Sequence, residues 1–150
     1  MRIAIGADHN GVLLKDHLAT FLGDLGHQVE DFGTYDAQPT DFPDIAISVG
    51  SSVATGTTEQ GILICGTGVG MAIAANKIAG IRAGLCHDQL SARQAREHND
   101  TNMLCLGGLI IGVNLAKEIV DTYLKARYQG ATPEGSRYLR RVTKIKGMDQ

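Results

Sequence analysis

Apolar residues recur along this chain in two alternating rhythms. Residues 2–7 form a short apolar run that stops at a Gly/Asp/His/Asn cluster, which predicts a buried strand followed by a loop. From 12 to 25 the apolar positions include Leu14, Leu18, Phe21, Leu22 and Leu25, a helical stripe closed by Gly26. Residues 27–32 alternate as a strand, and 33–43 are rich in turn formers. A helix is predicted over 44–54, a fully apolar strand over 61–65 and an Ala-rich helix over 71–78. The rhythm continues with a strand at 81–86, a polar helix at 88–98, a strand at 102–106 and a helix over 113–128. In that last helix Ala116, Ile119, Val120, Tyr123 and Leu124 share one face. The stretch 130–135 reads as a hinge before a tail with a short helix.

Strands that alternate with helices build βαβ units, and fully apolar strands suit a parallel sheet covered on both faces. With right-handed crossovers the expected α/β fold is a Rossmann-like three-layer α/β/α sandwich around a five-stranded parallel sheet. All 150 residues are expected to form one domain, with a basic tail from about 131 to 150. The start, MRIAIGADH, lacks the apolar core of a secretory signal. No stretch approaches 18 uninterrupted apolar residues, so no membrane span is expected.

Composition changes this picture in three places. There are 19 glycines, well above the usual share of about 7%, but only 3 prolines and no collagen period. With 43% hydrophobic residues and a net charge of −2 the chain is not a disordered one, so its glycines belong to turns and close approaches in a folded core. Cys65, Cys86 and Cys105 lie in or beside apolar runs and are odd in number, which points to reduced thiols and a cytoplasmic setting. Charge is split along the chain: residues 1–76 carry 2 basic and 9 acidic side chains, residues 77–150 carry 12 basic and 7 acidic. The tail holds Arg137, Arg140, Arg141, Lys144 and Lys146. Such a run suits nucleic acid, a solvated helix face, or anion contacts to a site of its own chain or a partner's. Trp is absent and aromatics make up only 5%, so base-stacking surface is scarce and no nucleic-acid partner is expected.

Candidate chemistry concentrates after the third strand. Cys65-Gly66-Thr67-Gly68-Val69-Gly70 ends a buried strand and opens a helix, so several backbone N–H groups can converge on one anion, or merely make a tight turn. No Gly-Lys-Ser/Thr follows, and Met71 stands where a dinucleotide fingerprint needs its third glycine, which weakens a nucleotide-binding reading. Cys65, beside those amides, can act as a nucleophile or a proton-transfer base, whereas Cys86 and Cys105 read as small core hydrophobes. A thiol base with N–H groups facing a developing oxyanion fits enediolate chemistry. Asp8 and His9 follow the first strand at the same sheet edge, as site residues or as a cap of the next helix. His98 and Asn99 end the polar helix, where the dipole favours a protonated imidazole suited to acid catalysis. That helix returns to the opposite sheet edge, roughly 17–20 Å away, as does the helix before the tail. Cys65 and His98 can share a site only if two subunits build it.

GILICGTGVGMAIAANKIAGIRA and REHNDTN together resemble the type B ribose-5-phosphate isomerases and the related galactose-6-phosphate isomerase subunits, and the likeness runs from IAIGADHNG to RRVTKI. It implies aldose–ketose isomerisation of a sugar phosphate through an enediolate, without metal or cofactor, in a homodimer or tetramer. By the same resemblance Cys65 is the base, Thr67 and Gly66, Gly68, Val69 and Gly70 form the anion hole, and His98 opens the sugar ring. Asp8, His9 and Asn99 match sugar or phosphate contacts, and Arg137 and Arg141 match phosphate ligands. Leu109 stands where the family commonly has a phosphate-contacting Arg, Tyr138 where His is frequent, and Phe42 where Tyr is common; ATPEGS adds a few residues before Arg137. These departures leave open another sugar phosphate, or a free aldose such as allose, as the substrate.

Overall fold

A computed structural model describes residues 1–149. Arg2–Ala7 is strand β1, and Ile3, Ala4, Ile5 and Ala7 are all fully buried because both faces of the strand are covered. It is followed by α1 (Val12–Asp24), β2 (Gln28–Asp31), α2 (Phe42–Ala54), β3 (Gln60–Cys65), α3 (Val69–Ala75) and β4 (Ala83–Leu85). Then come α4 (Gln89–Asn99), β5 (Met103–Gly107), α5 (Val113–Lys125) and, after two 3-10 turns, α6 (Ser136–Lys146). The strands form one parallel sheet in the order β2-β1-β3-β5-β4.

Successive strand residues point to opposite faces, and they sort the core into two layers. Ile3, Ile5, Ile62, Ile64, Leu104 and Leu106 pack under Leu14, Leu18 and Leu22 of α1 and Ile119, Val120 and Tyr123 of α5. Ala4, Leu63, Cys65, Met103 and Cys105 pack against Val49 and Val53 of α2 and Met71 and Ala75 of α3. The expected three-layer α/β/α sandwich is the observed one. Among the described residues no helix is long and apolar enough to cross a membrane.

Several boundaries differ from the sequence expectation for local reasons. Helix α2 starts at Phe42 rather than 44, because Pro43 is tolerated in a first turn, where its missing N–H has no helical partner. Helix α3 stops at Ala75; the Asn76 side chain then donates to the Ala83 carbonyl at 3.0 Å and accepts the Ala83 N–H at 2.9 Å. That amide satisfies a rung of the outer edge of β4, which is correspondingly only three residues long. Helix α5 ends at Lys125 because Ala126 is extended. The stretch 130–135 is not a hinge. Gly130 and Gly135 are buried in successive 3-10 turns, and a Cβ at Gly135 would meet the Gln129 carbonyl. Helix α6 buries Tyr138 and Val142 and exposes Arg137, Arg140, Arg141, Lys144 and Lys146.

Lys15 of α1 is fully buried, with Nζ 2.5 Å from Asp31 Oδ2 at the end of β2 and 3.0 Å from Asp16. Burial opposes its charge, yet hydrogen bonds to Asp31 and Asp16 outweigh this and raise its pKa above the ordinary lysine value. Asp31 also accepts the Gly33 N–H at 2.8 Å, so one carboxylate fixes the helix, the strand end and the following loop. Asp31→Ala should cost about 3 kcal/mol of stability, because the ammonium stays buried without its main partner. Lys15→Met should cost far less; urea midpoints of the two variants provide the check.

Candidate active site

The strand order places a crevice where the chain reverses direction. After β1 it moves outward to β2, then crosses back so that β3 lies on the other side of β1. Parallel α/β sheets bind ligands at the carboxyl ends of the strands at such a point. Here that edge is built from three loops, because Ala7 pairs with Ile64 and Cys65 with Gly107. The Asp8 N–H donates to the Ile64 carbonyl at 3.0 Å, and the Gly108 N–H donates to the Cys65 carbonyl at 2.8 Å.

Cys65 closes β3 and is 5% exposed. Gly68, the residue before α3, has φ +78°, a conformation that favours glycine. This twist turns the Gly68 N–H back onto Cys65 Sγ at 3.1 Å. A Cβ at Gly68 would lie 2.8 Å from the Leu106 backbone carbon, so the loop can approach β5 only as glycine. Thr67 is exposed and its Oγ1 accepts the Val69 N–H at 3.4 Å. The N–H groups of Gly66, Thr67 and Gly70 have no acceptor among the described residues and remain free donors. The ring of Phe42 covers Gly70: a Cβ there would come within 2.8 Å of it. Burial pushes the Cys86 thiol up to about 11 and the Cys105 thiol higher still, so both stay protonated core groups.

Asp8 is buried, and its Oδ1 accepts the Asn10 N–H at 2.9 Å, closing the loop on itself. It does not cap α1, whose N-cap is Gly11 and which has no side-chain cap. His9 Nδ1 accepts the Thr40 N–H at 3.2 Å, and its Nε2 lies 3.3 Å from Asn10 Nδ2. Leu109 Cδ1 would touch a Cβ on Gly66 at 3.3 Å, and the Leu109 N–H donates to the Gly66 carbonyl at 3.0 Å. Leu109 is 70% exposed, an apolar side chain standing beside the free amides.

His98 and Asn99 lie in the last turn of α4, just before β5 begins at Met103. Met103 pairs with Gly61, whereas Cys65 pairs with Gly107 at the far end of the same ladder. Four residue steps, about 13 Å of strand, separate the two edges. His98 stacks on Tyr138 of α6, with ring centroids 4.2 Å apart and planes 5° from parallel. Arg137 Nη2 donates to the Tyr138 hydroxyl at 2.5 Å. Arg141 is exposed on the same helix. One chain therefore assembles two clusters: Cys65, Thr67, Asp8 and His9 at one edge, and His98, Asn99 and Arg137 at the other. Among the described residues no three His, Cys, Asp or Glu side chains converge to hold a metal ion.

The ribose/galactose isomerase family model matches residues 3–145. The chain is 47% identical over 149 residues to ribose-5-phosphate isomerase B of Escherichia coli (strain K12), covering 99% of this chain and 97% of that protein. The chain belongs to the ribose/galactose isomerase family. Another relative, the D-erythrulose-4-phosphate isomerase of Pectobacterium atrosepticum, is 42% identical and matches 87% of this chain and 86% of its own length. In three dimensions this family member superposes on the solved ribose-5-phosphate isomerase B of Clostridium thermocellum with a TM-score of 0.94 at 47% identity, over 99% of this chain and 97% of that one.

Two groups at this family member's crevice carry no motif in the sequence. Thr40, in a loop with no motif, orients His9 through its backbone. His87 Nε2 accepts the Gly107 N–H at 2.9 Å, where β4 has already turned away and supplies no carbonyl. Its only signal in the sequence is its position, two residues beyond the end of β4.

Proposed function

We propose that this chain is an aldose–ketose isomerase of small sugar phosphates, of the ribose 5-phosphate/ribulose 5-phosphate type. One observation carries the reading: a thiol held by a backbone N–H at 3.1 Å, beside free amides at the switch-point crevice. Cys65 as thiolate takes the proton from C2 of the open-chain aldose, and the negative charge moves onto O1. The N–H groups of Gly66, Thr67 and Gly70 face that oxygen, where preorganised dipoles stabilise charge best. Return of the proton from Cys65 to C1, with a proton shift from O2 to O1, yields the ketose. Nothing is gained or lost overall, so the chemistry needs no redox partner.

Ring opening requires a proton on the ring oxygen, the role of His98. Because His98, Asn99, Arg137 and Arg141 lie at the other edge, a second copy supplies them. Two copies related by a twofold axis form two equivalent sites. The acidic first half and basic second half suit such contacts, and the arginines suit a phosphate dianion. Asp8 and His9 complete the sugar end. The domain extends over the whole chain, with the tail serving the dimer and its site. Three free, buried thiols suit a reducing compartment, the cytoplasm.

Leu109 favours a second reading within the same reaction class. An exposed leucine beside the amides neither pairs with nor hydrogen-bonds a phosphate, so a different sugar phosphate or a free aldose is the alternative substrate. Turnover of a panel of aldoses and ketoses, each with and without phosphate, decides. The first reading expects activity confined to phosphosugars, with Leu109→Arg lowering KM about tenfold through one charge-assisted pair. Turnover of free aldoses with no gain from Leu109→Arg supports the alternative, and no isomerisation anywhere in the panel rejects both.

A further inference from the structure

Tyr138 touches two groups that the reaction assigns to different tasks. One face of its ring lies parallel to His98 at 4.2 Å. Its hydroxyl accepts a hydrogen bond from Arg137 Nη2 at 2.5 Å, and the Arg137 guanidinium carbon stands 4.7 Å from the ring centroid. The ring itself is 7% exposed, so it is fixed by packing, whereas Arg137 is an exposed side chain of a surface helix.

We propose that Tyr138 is a positioning residue that sets the orientation of His98 through its ring and of Arg137 through its hydroxyl. The inference rests on the reading of His98 as the ring-opening acid and of Arg137 as a phosphate ligand. Its two halves have separate physical causes. A free arginine loses rotamer freedom when it closes on an anion, and a guanidinium already held by the phenol loses less. Only one of the five guanidinium N–H donors is spent on Tyr138, which leaves a fork for the dianion. The phenolic proton is not used in that bond and is free to donate toward the same anion. The imidazole of His98 is constrained differently: a parallel ring at 4.2 Å restricts rotation about its second side-chain torsion and so aims its nitrogens. A histidine in place of Tyr138 keeps a flat ring but lacks the phenol. In this chain the tyrosine therefore adds an arginine tether to the ring that stacks on His98.

The two halves separate in steady-state kinetics with ribose 5-phosphate, using the intact protein. Tyr138→Phe and Tyr138→His keep a ring and remove the phenol; KM and the inhibition constant for inorganic phosphate should rise about five- to tenfold with kcat within about twofold. Tyr138→Leu removes the ring as well, and kcat should fall about tenfold or more, as misplacement of a catalytic group does. Tyr138→Met takes its place if the leucine variant does not fold. His98→Asn and Arg137→Met accompany them. If Tyr138→Phe shows the parent's KM and phosphate inhibition while Arg137→Met is impaired, the tether is overturned. If kcat survives loss of the ring while His98→Asn is impaired, the orienting role is overturned. If His98→Asn and Arg137→Met both match the parent, it is the underlying reading that fails.

Discussion

Cys65→Ala should lose about a thousandfold or more in kcat, within the range that a positioned acid–base group contributes. The variant should fold. Cys65 occupies the end of β3 with its thiol against Gly68, and alanine keeps the strand, the ladder pair with Gly107 and the left-handed turn at Gly68. Loss of one small buried sulfur costs about 1 kcal/mol, far below what unfolds a domain of this size. The diagnostic readout is exchange of the substrate's C2 hydrogen with deuterated water. A base that removes that proton controls exchange as well as net turnover, so both should vanish together. Exchange that persists in Cys65→Ala would assign the proton to another group. Cys65→Ser should behave like alanine, because a serine hydroxyl gives up its proton far less readily than a thiol.

Mixing two inactive variants should restore activity. Cys65→Ala leaves one edge of the chain without its base, and His98→Asn leaves the other without its acid. If each site takes Cys65 from one copy and His98 from its partner, a mixed dimer has one site with both defects and one with neither. Random reassembly makes half of all dimers mixed, so about a quarter of sites and of parental turnover should return. If each site lay within one chain, every site would carry one of the two defects and mixing would restore nothing. The prediction follows from the ladder in which Met103 pairs with Gly61 and Cys65 with Gly107, which holds the two groups at opposite edges of one sheet. Mixing after mild denaturation, with subunit exchange followed by mass, separates failed exchange from failed complementation.

Much of this architecture was legible because it is local. Buried strands such as β3 read as apolar runs, and helices such as α5 as 3.6-residue stripes, since each must cover or be covered by a core. The Gly66–Gly68–Gly70 spacing after an apolar strand announced a strand-to-helix turn rich in free amides. Even the separation of Cys65 from His98 was legible, because a helix following a parallel strand must return the chain to the starting edge. The 130–135 stretch reads as a hinge because glycine marks hinges and packed turns alike; here the turns stack so closely that a Cβ at Gly135 would strike the Gln129 carbonyl.

By itself, then, the sequence determined the alternation of elements, the parallel sheet, the family and the chemistry available at each sheet edge. These depend on residue type and spacing, which local conformational preferences convert directly into structure. The tertiary structure decided that β5 lies between β3 and β4, and so that Gly107, Gly108 and Leu109 stand against the Cys65 loop. It also decided that His87 replaces a missing carbonyl for Gly107, that Thr40 orients His9, and that Tyr138 lies between His98 and Arg137. Strand order and side-chain partners of this kind arise from packing between distant segments, where the donor left unpaired by one turn is met by whatever group another element brings within 3 Å.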